Sequence, residues 1–330
     1  MTMFDWQLDS FRSLNRYKSR LPHAILIRSR VGMGSAEFAT SFAQSLLCET
    51  PAIDDKACTK CAACNWFGRG NHPDFRLVQP DSMSASEDEE NQKKEKLSDQ
   101  IRIEQIRALQ DFLAVSTHRG GSKIVLIHPA DTMNLNTQNA LLKNLEEPPP
   151  ETLFLLVTSH ADRLLPTLRS RCVIFSLLPV NEKAAVQWLL NQGIEEAGIA
   201  LAAAGGAPVA ALDSAKNERT RTLFLEYLRD STFDAIALAD QSQSTTPVDI
   251  VTWLQHWSYD LLLARMTGGV RYNLRDQEAI VALSLKCDVE KIAAYWRHLA
   301  RARNLVQHPL NPKLFVEDLL LQYRGSIIAS

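Results

Sequence analysis

Hydrophobic and polar positions divide the chain into two parts with different periods. In the first half, short apolar runs alternate with segments of helical period, whereas beyond Pro179 only the helical period remains. Strands that alternate with helices are typical of an α/β domain with a mainly parallel sheet. The predicted strands are Ala24–Arg28, Phe75–Gln79, Lys123–His128, Leu153–Thr158 and Val173–Leu178.

Helical segments fill intervals between these strands. Their apolar residues recur every three or four positions, as on one face of an amphipathic helix. The predicted helices are Ser35–Leu47, Ile103–Val115 and Asn136–Leu145. The last of these helices stops at Glu147, because three successive prolines follow it and proline cannot continue a helix.

The part of the chain beyond Pro179 is predicted to be helical throughout. Three short helices are expected at Asn181–Asn191, Glu195–Ala204 and Ala207–Asp213, and a long helical region extends from Asn217 to Gln322. Two stripes at helical spacing are expected to face a core, the second with polar interruptions. They comprise Trp253, Leu254, Trp257, Leu261 and Leu262, and then Leu314, Phe315, Asp318, Leu319 and Gln322.

These patterns predict three domains. Residues 1–178 form the α/β domain, residues 179–213 a small helical domain and residues 214–330 a helical C-terminal domain. The segment Ser82–Lys96 contains no Leu, Ile, Val or aromatic residue. A segment with so little to bury does not offset its ordering entropy, so an insertion at about 81–99 is expected to be mobile.

Composition and charge set limits on the class of protein. Hydrophobic residues make up 45% and charged residues 22% of the chain, as in ordinary globular proteins. The formal net charge of −2 argues against a free-standing, strongly basic nucleic-acid binder. No apolar run reaches the roughly 18 residues of a membrane span. The N-terminus lacks the features of a signal peptide. We therefore expect a cytoplasmic protein that does not contact membranes.

The segment after the first predicted strand resembles a phosphate-binding loop that lacks its chemical side chains. Ser29–Ala36 lies between a strand and a helix, as does the motif G-x-x-x-x-G-K-[ST]. Of the constrained positions only Gly34 remains, although Gly32 supplies a second glycine. Ser35 replaces the lysine that neutralises phosphates, and Ala36 replaces the hydroxyl that holds Mg²⁺. Taken alone, a glycine turn before a helix is common.

The second place where Mg²⁺·ATP chemistry would occur has also lost its side chains. In ATPases of this type, an apolar strand ends in carboxylates that hold the metal and activate water. Here the apolar run Ile124–Ile127 ends in His128 and Pro129, and Asp131 lies three residues past the strand end at His128. We interpret His128 as a packed strand-end residue and Asp131 as a cap or turn residue. The two losses together predict that the chain neither hydrolyses ATP nor has a working nucleotide site.

A cluster of cysteines carries the clearest chemical signal. The chain has six cysteines, four of which follow the spacing C-x9-C-x2-C-x2-C. Four thiolates without histidine suit a closed tetrahedral structural zinc site. A redox or iron–sulfur role and the chance packing of small hydrophobic side chains remain as alternatives. The four predicted ligands are Cys48, Cys58, Cys61 and Cys64.

Several segments together resemble one protein family. Beside the cysteine module they are Leu21–Ala24, Asn71–Asp74, Asn139–Pro149 and Leu168–Cys172. The run NALLKNLEEPP followed by the triplet SRC is the most specific of these matches. The chain thereby resembles the bacterial DNA polymerase III clamp-loader subunits of the AAA+ class. The resemblance covers nearly the whole chain. The departures from the family's active subunits, at Ser35, Ala36, His128 and Pro129, are similar to those of a non-catalytic subunit of this family.

The resemblance implies roles for residues outside the loop. Val209 occupies the position at which active subunits place a nucleotide-sensing arginine, and Arg171 matches an arginine finger that acts on a neighbouring subunit. A guanidinium offers fixed donors to charge that develops on a γ-phosphate. An ordinary structural ion pair is the alternative for Arg171, and Arg169 on the same loop is a competing candidate. Helix Asn139–Pro149 would also line a DNA-facing channel.

The family resemblance further implies partners. They are clamp-loader ATPase subunits and a delta subunit in a hetero-pentameric ring, with the sliding clamp contacted indirectly and primed DNA bound by the assembly. The C-terminal domain would be the collar that joins the subunits. The isolated chain would not be an enzyme, although it would belong to a DNA-directed DNA polymerase. Two rival hypotheses are an active ATPase subunit of the same family and a zinc-dependent DNA-binding scaffold.

Overall fold

The structure is a computed structural model that describes residues 3–84, 97–118, 121–229, 233–306 and 311–328. Within it the chain divides into two units, residues 1–184 and 185–330. The division lies close to the predicted end of the α/β domain. It does not test the predicted boundary between the small helical domain and the C-terminal domain, which stays a prediction.

A parallel five-stranded sheet with the order β2-β3-β4-β1-β5 organises the first unit. The three central strands are almost wholly buried, whereas the edge strands β2 and β5 are partly exposed. Each edge strand ends earlier than predicted. Leu178 is not in β5: it is half exposed, and its N–H donates to Ser10 Oγ instead of a neighbouring strand. The strands are β1 Ala24–Arg28, β2 Phe75–Val78, β3 Lys123–Ile127, β4 Thr152–Thr158 and β5 Val173–Ser176.

Helices of the first unit cover both faces of the sheet. Because successive side chains of a strand point to opposite faces, Leu26 belongs to one core cluster and Ile25 and Ile27 to the other. The predicted helix Ile103–Val115 is divided at Ala108 into two short helices. The helices are α1 Leu8–Asn15, α2 Ser35–Leu47, α3 Ala62–Gly68, α4 Asp81–Ser84, α5 Ile103–Arg107, α6 Leu109–Ala114, α7 Leu135–Glu146, α8 Pro166–Arg169 and α9 Glu182–Asn191, which ends in the second unit.

Only part of the predicted insertion is described. Asp81–Ser84 forms the short helix α4, and Arg102 pairs with Asp81 at 2.6 Å. Residues 85–96 lie outside the described residues, so the predicted mobility of Ser82–Lys96 is not tested.

The second unit is helical in the part that the structure describes. Asn181 receives hydrogen bonds from the N–H groups of Lys183 and Ala184 and so caps α9, as predicted. The helices that follow are α10 Ala197–Ala203, α11 Pro208–Ala215, α12 Glu218–Arg229, α13 Ala235–Gln241, α14 Pro247–Thr267, α15 Gln277–Lys286, α16 Val289–Leu305 and α17 Pro312–Tyr323.

The core of the second unit confirms one predicted stripe and corrects the other. Trp253, Leu254, Trp257 and Leu261 of α14 are buried, with Leu262 partly buried beside them. On α17 the second predicted stripe is partly right, because Leu319 is buried and Phe315 packs against the core. It is wrong for Leu314, which is 60% exposed, and for Asp318 and Gln322, which are also exposed. The buried face of the helix consists of Val316, Leu319, Leu320 and Tyr323.

Buried polar groups join the helices of this unit. Trp257 Nε1 donates to the hydroxyl of Tyr323, which donates in turn to the carbonyl of Leu228. The buried carboxylate of Asp260 accepts from three successive backbone N–H groups, those of residues 271–273. Such paired groups fix the positions of helices that the apolar core alone would leave free to slide.

Among the described residues, no single helix has the length and apolarity to cross a membrane. The helices Ala197–Ala203 and Pro208–Ala215 meet that test only when they are taken together, and the bend between them is 104°.

Candidate functional site

The segment Ser29–Ala36, predicted to be a degenerate phosphate loop, lies at the carboxyl edge of the parallel sheet. It connects β1 to α2, and its backbone is held to the neighbouring strand where Ser29 N–H donates to the carbonyl of Thr158. Gly34 is the N-cap of α2 and has a φ of 75°, a left-handed conformation that favours glycine. Gly32 has the same φ. The segment therefore has the strand–loop–helix order that a P-loop also has, with Ser35 and Ala36 at the start of the helix.

The N-terminal segment packs directly on this loop. The side-chain amide of Gln7 donates hydrogen bonds to the carbonyl oxygens of Met33, at 3.0 Å, and Gly34, at 2.7 Å. A Cβ atom added at Gly34 would be only 2.4 Å from Cε2 of Phe4, so the ring of Phe4 fills the space beside this glycine. Gln7 itself is buried. The loop is thus built into the core that contains α1.

The end of β3 offers a histidine where a metal site would need carboxylates. Burial lowers the pKa of His128, and Asp131 partly opposes that effect, so the imidazole is neutral near pH 7. Nδ1 of this histidine is buried and has no hydrogen-bond partner in the described part of the chain. Asp131 lies in a 3-10 turn, as predicted for a turn residue. Its Oδ1 accepts from Thr158 Oγ1 at 2.7 Å and from Ser159 N–H at 3.3 Å.

Arg171 lies between α8 and β5 and is already engaged within the chain. Its Nη2 is 2.7 Å from Oε1 of Glu146, the last residue of α7, and its Nη1 donates to the carbonyl of Thr167 at 2.9 Å. The side chains of Arg171 and Glu146 are 35% and 48% exposed. The guanidinium is therefore oriented by the protein but still accessible from outside.

Arg169, the competing candidate, has different surroundings. It is the last residue of α8 and is partly buried. Its Nε is buried without a hydrogen-bond partner among the described residues. Both arginines are intermediate in exposure, so burial does not decide between them, and the role of Arg171 stays a prediction.

The four predicted cysteine ligands come together. Their Sγ atoms all lie within 4.8 Å of one another, and Sγ–Sγ distances of 4.0 Å join Cys48 to Cys61 and Cys58 to Cys64. Tetrahedral coordination with metal–sulfur bonds of about 2.3 Å would place sulfurs about 3.8 Å apart. A disulfide would instead require an Sγ–Sγ distance of about 2.05 Å. The group can hold a metal ion and is compatible with zinc.

Hydrogen bonds to sulfur favour the thiolate form that a metal requires. Thr50 Oγ1 donates to Cys58 Sγ at 3.2 Å, and this bond, together with the N–H groups of Lys60 and Cys61, lowers the pKa of Cys58 to about 5. Cys48 Sγ accepts from the N–H of Cys58, but burial outweighs this bond and raises the pKa of Cys48. Burial raises the pKa of Cys64, so this thiol loses its proton only in exchange for a cation.

One helix connects the cysteine cluster to the phosphate loop. α2 begins directly after Gly34 and ends directly before Cys48. Its 13 residues span about 20 Å, so the two features are separate. Val209 is in α11 of the second unit, and its predicted role stays a prediction.

Sequence reasoning missed four side chains that complete these sites. Thr158 ended a predicted strand and Glu146 lay within a quoted motif, whereas Gln7 and Thr50 lie outside every predicted strand and helix. They are Gln7 on the loop, Thr158 beside Asp131, Thr50 beside Cys58 and Glu146 beside Arg171.

Comparisons with known proteins agree over most of the chain. Two family models match, "DNA polymerase III, delta subunit" at residues 9–181 and "DNA polymerase III, delta subunit, C terminal" at residues 213–325. The DNA polymerase III subunit delta' of Pseudomonas aeruginosa is 31% identical and aligned over 97% of each chain. That of Escherichia coli is 30% identical over 98% of this chain and 95% of its own.

A solved structure of a DNA polymerase III gamma subunit-related protein from Thermotoga maritima also matches, with a TM-score of 0.43 and 18% identity over 97% of this chain and 99% of its own. A TM-score this low adds nothing to the argument.

Fold and site together define an α/β domain with a parallel five-stranded sheet and a cluster of four cysteines between β1 and β2, followed by a helical unit. The predicted fold class is confirmed. The chain belongs to the family of DNA polymerase III delta-prime subunits.

Proposed function

We propose that this chain is the non-catalytic stator of a replicative clamp loader. It hydrolyses no ATP itself, helps to place a sliding clamp on primed DNA, and supplies Arg171 to the ATP site of a neighbouring subunit. Its partners in this proposal are ATPase subunits and a delta subunit in a hetero-pentameric ring. Its location is the cytoplasm.

The proposal is supported mainly by the loop at the carboxyl edge of the sheet, which lacks the side chains that bind phosphate and Mg²⁺. The loop keeps the backbone of a phosphate site, yet Ser35 and Ala36 stand where the charged and metal-binding side chains would be. Gln7 and Phe4 pack on it, and Asp131, beyond the end of β3, is hydrogen-bonded to Thr158. The positions directly after β3 are occupied by His128 and Pro129 in place of carboxylates.

An accessible arginine complements this loss. Arg171 is fixed by two contacts and remains partly exposed. An arginine finger supplied by a neighbour contributes roughly 10³–10⁵ in rate at its own site. A subunit without a working ATP site can therefore still control hydrolysis in the assembly.

We further propose that the cysteine cluster holds a structural zinc ion. Four sulfur ligands leave no open position for substrate, and the bonds to Cys48 and Cys58 hold these sulfurs as acceptors. When bound, the ion would cross-link the end of α2 to the start of α3, so its contribution is to stability.

We also propose that this subunit contacts DNA directly. An open groove of about 800 Å³ lies along α5 and α7 and is lined by Arg107, Lys143, Gln110 and three asparagines. Such side chains can donate hydrogen bonds to phosphate and sugar oxygens, and contacts of that kind carry no sequence information. The groove therefore supports contact with primed DNA of any sequence.

The test uses the reconstituted assembly. The full chain is mixed with its ATPase partners, clamp and primed DNA, and phosphate release is compared for the wild type, Arg171→Ala and Arg169→Ala. We expect Arg171→Ala to remove the hydrolysis of the neighbouring site. Arg12→Ala is the control, because it removes an exposed pair with Asp9 on α1.

Three results would contradict parts of this proposal. An unchanged rate with Arg171→Ala would remove the finger. Hydrolysis by the isolated chain would favour the rival active ATPase. Tight binding of DNA by the isolated chain, with a steep dependence on salt, would favour the zinc-dependent DNA-binding scaffold.

A further inference from the structure

The segment that carries Arg171 is attached to helix α7 at two points. At the first, the buried Gln138 accepts from the N–H of Leu165, at 2.7 Å, and donates to the carbonyl of Arg163, at 3.2 Å. At the second, Glu146 pairs with Arg171. Gln138 lies near the start of α7 and Glu146 at its end. The short helix α8 between the two points is therefore held along the length of α7.

The contacts of the guanidinium leave most of its donors available. Arginine has five N–H donors in a rigid fork, and in the described structure one is directed to Glu146 and one to the carbonyl of Thr167. The pair with Glu146 fixes the plane of the fork without covering it, since 35% of the arginine side chain is exposed. The remaining donors can face a phosphate while the ion pair persists.

We propose that Glu146 is the positioning residue of Arg171, an inference that rests on the proposed function of that arginine. Glu146 keeps the guanidinium in the orientation that it needs at the neighbouring ATP site. A free arginine side chain loses much rotamer freedom when it binds, and holding it in place beforehand removes part of that cost from the catalytic step. Helix α7, with its run NALLKNLEEPP, thereby supports the SRC triplet directly.

This inference differs from sequestration, in which Glu146 would compete with phosphate for the arginine. Sequestration predicts that removal of the carboxylate raises the rate of hydrolysis in the assembly. Positioning predicts the reverse. The two readings therefore differ in the sign of one measurement.

The experiment compares single and double variants in the assembly with ATPase partners, clamp and primed DNA. We expect Glu146→Ala to lower kcat by about two- to fivefold, the range that an ion pair between partly exposed groups supports, with KM for ATP unchanged. Glu146→Gln keeps the accepting oxygen and should retain more activity than Glu146→Ala. The matched control is Glu182→Ala, which removes the same charge from an exposed position outside α7 and should not change kcat.

A double variant separates positioning from a general loss of structure. If Glu146 acts through Arg171, Glu146→Ala has no further effect on kcat in an Arg171→Ala background. An equal fall of kcat in both backgrounds, a rise of kcat with Glu146→Ala, or a larger loss with Gln than with Ala would overturn the inference. If Arg171→Ala itself leaves the rate unchanged, the proposed finger fails; if Arg171→Ala lowers the rate and Glu146→Ala does not, only the positioning role fails.

Discussion

Nε2 of Gln7 donates a 2.7 Å hydrogen bond to the carbonyl oxygen of Gly34, although 27 residues separate them. The contact joins the N-terminal segment to the first turn of α2, the place from which a P-loop holds phosphates. The loop is therefore a structural part of the first unit.

Restoring the motif side chains should not restore hydrolysis. The double variant Ser35→Lys/Ala36→Thr returns the lysine and the hydroxyl, but the end of β3 still offers His128 and Pro129, and Asp131 stays bonded to Thr158. We expect no hydrolysis above background when phosphate release from ATP is measured for the isolated chain. An active partner subunit serves as the positive control. Turnover by the double variant would contradict our account of the site.

Gly34→Ala should destabilise the first unit. The new methyl group would meet the ring of Phe4 at 2.4 Å on a backbone with a φ of 75°. Overpacking and backbone strain together cost roughly 2–4 kcal/mol, measurable by urea unfolding. Gly70→Ala is the matched control, because its φ is 73° and no atom lies within 4 Å of the added Cβ. It should cost about 1 kcal/mol, and equal losses for the two variants would contradict the contact with Phe4.

Removal of the metal should destabilise the chain. A chelator, or Cys61→Ser, leaves the remaining thiols without the ion that favours their ionised form, and we expect a lower Tm. Metal content measured by mass spectrometry should fall from one zinc per chain to none in Cys61→Ser. Cys287→Ser is the control, because this thiol donates to the carbonyls of Leu283 and Ile327 and a hydroxyl can do the same. A wild type without metal would contradict the zinc assignment.

His256 should make the second unit less stable in mild acid. Its ring stacks on Tyr272 with centroids 3.9 Å apart. Burial, followed by the charges of Arg221 and Arg303, lowers the pKa of His256 to about 4. The unfolded chain binds this proton from about pH 6.5 downward and the folded chain only near pH 4. Stability from this group is therefore complete above pH 6.5 and is lost as the pH falls towards 4.

The expected loss of unfolding free energy caused by the protonation of His256 is on the order of 1–3 kcal/mol. Unfolding by urea between pH 7.5 and 4.5 measures it, and His256→Phe, which keeps an aromatic ring beside Tyr272, should have a shallower dependence on pH. The same slope in both proteins would contradict the assignment.

Tyr323→Phe should weaken the core of the second unit. The variant leaves Nε1 of Trp257 and the carbonyl of Leu228 without the hydroxyl that joins them. An unpaired buried polar group costs roughly 1–3 kcal/mol. Tyr227→Phe alters a tyrosine of the neighbouring α12 that is 40% exposed, and should change stability by less than about 0.5 kcal/mol. Equal effects of the two variants would show that the buried chain of hydrogen bonds contributes nothing.

The sequence located elements well where a local pattern was sufficient. Helix α2 has the predicted bounds Ser35–Leu47, because a glycine turn precedes it and its apolar period is regular. Cys48, Cys58, Cys61 and Cys64 converge as their short spacing predicts. On α17, by contrast, apolar residues occupy several faces, so the period did not determine which face is buried, and Val316 and Tyr323 replaced Leu314 and Gln322 in the core.

The sequence by itself determined the residue types at each motif: a loop without lysine, a strand end without carboxylates, four clustered thiols and an arginine in the triplet SRC. Only the tertiary structure decided which side chains meet them. Gln7 reaches Gly34 and Asp131 reaches Thr158 at the carboxyl edge of the sheet. Glu146 reaches Arg171 at the opposite edge, because these residues precede the starts of β4 and β5. The order and register of the parallel strands bring these distant segments together. Local periodicity carries no information about such long-range pairs, since it specifies the face of an element and not its neighbours.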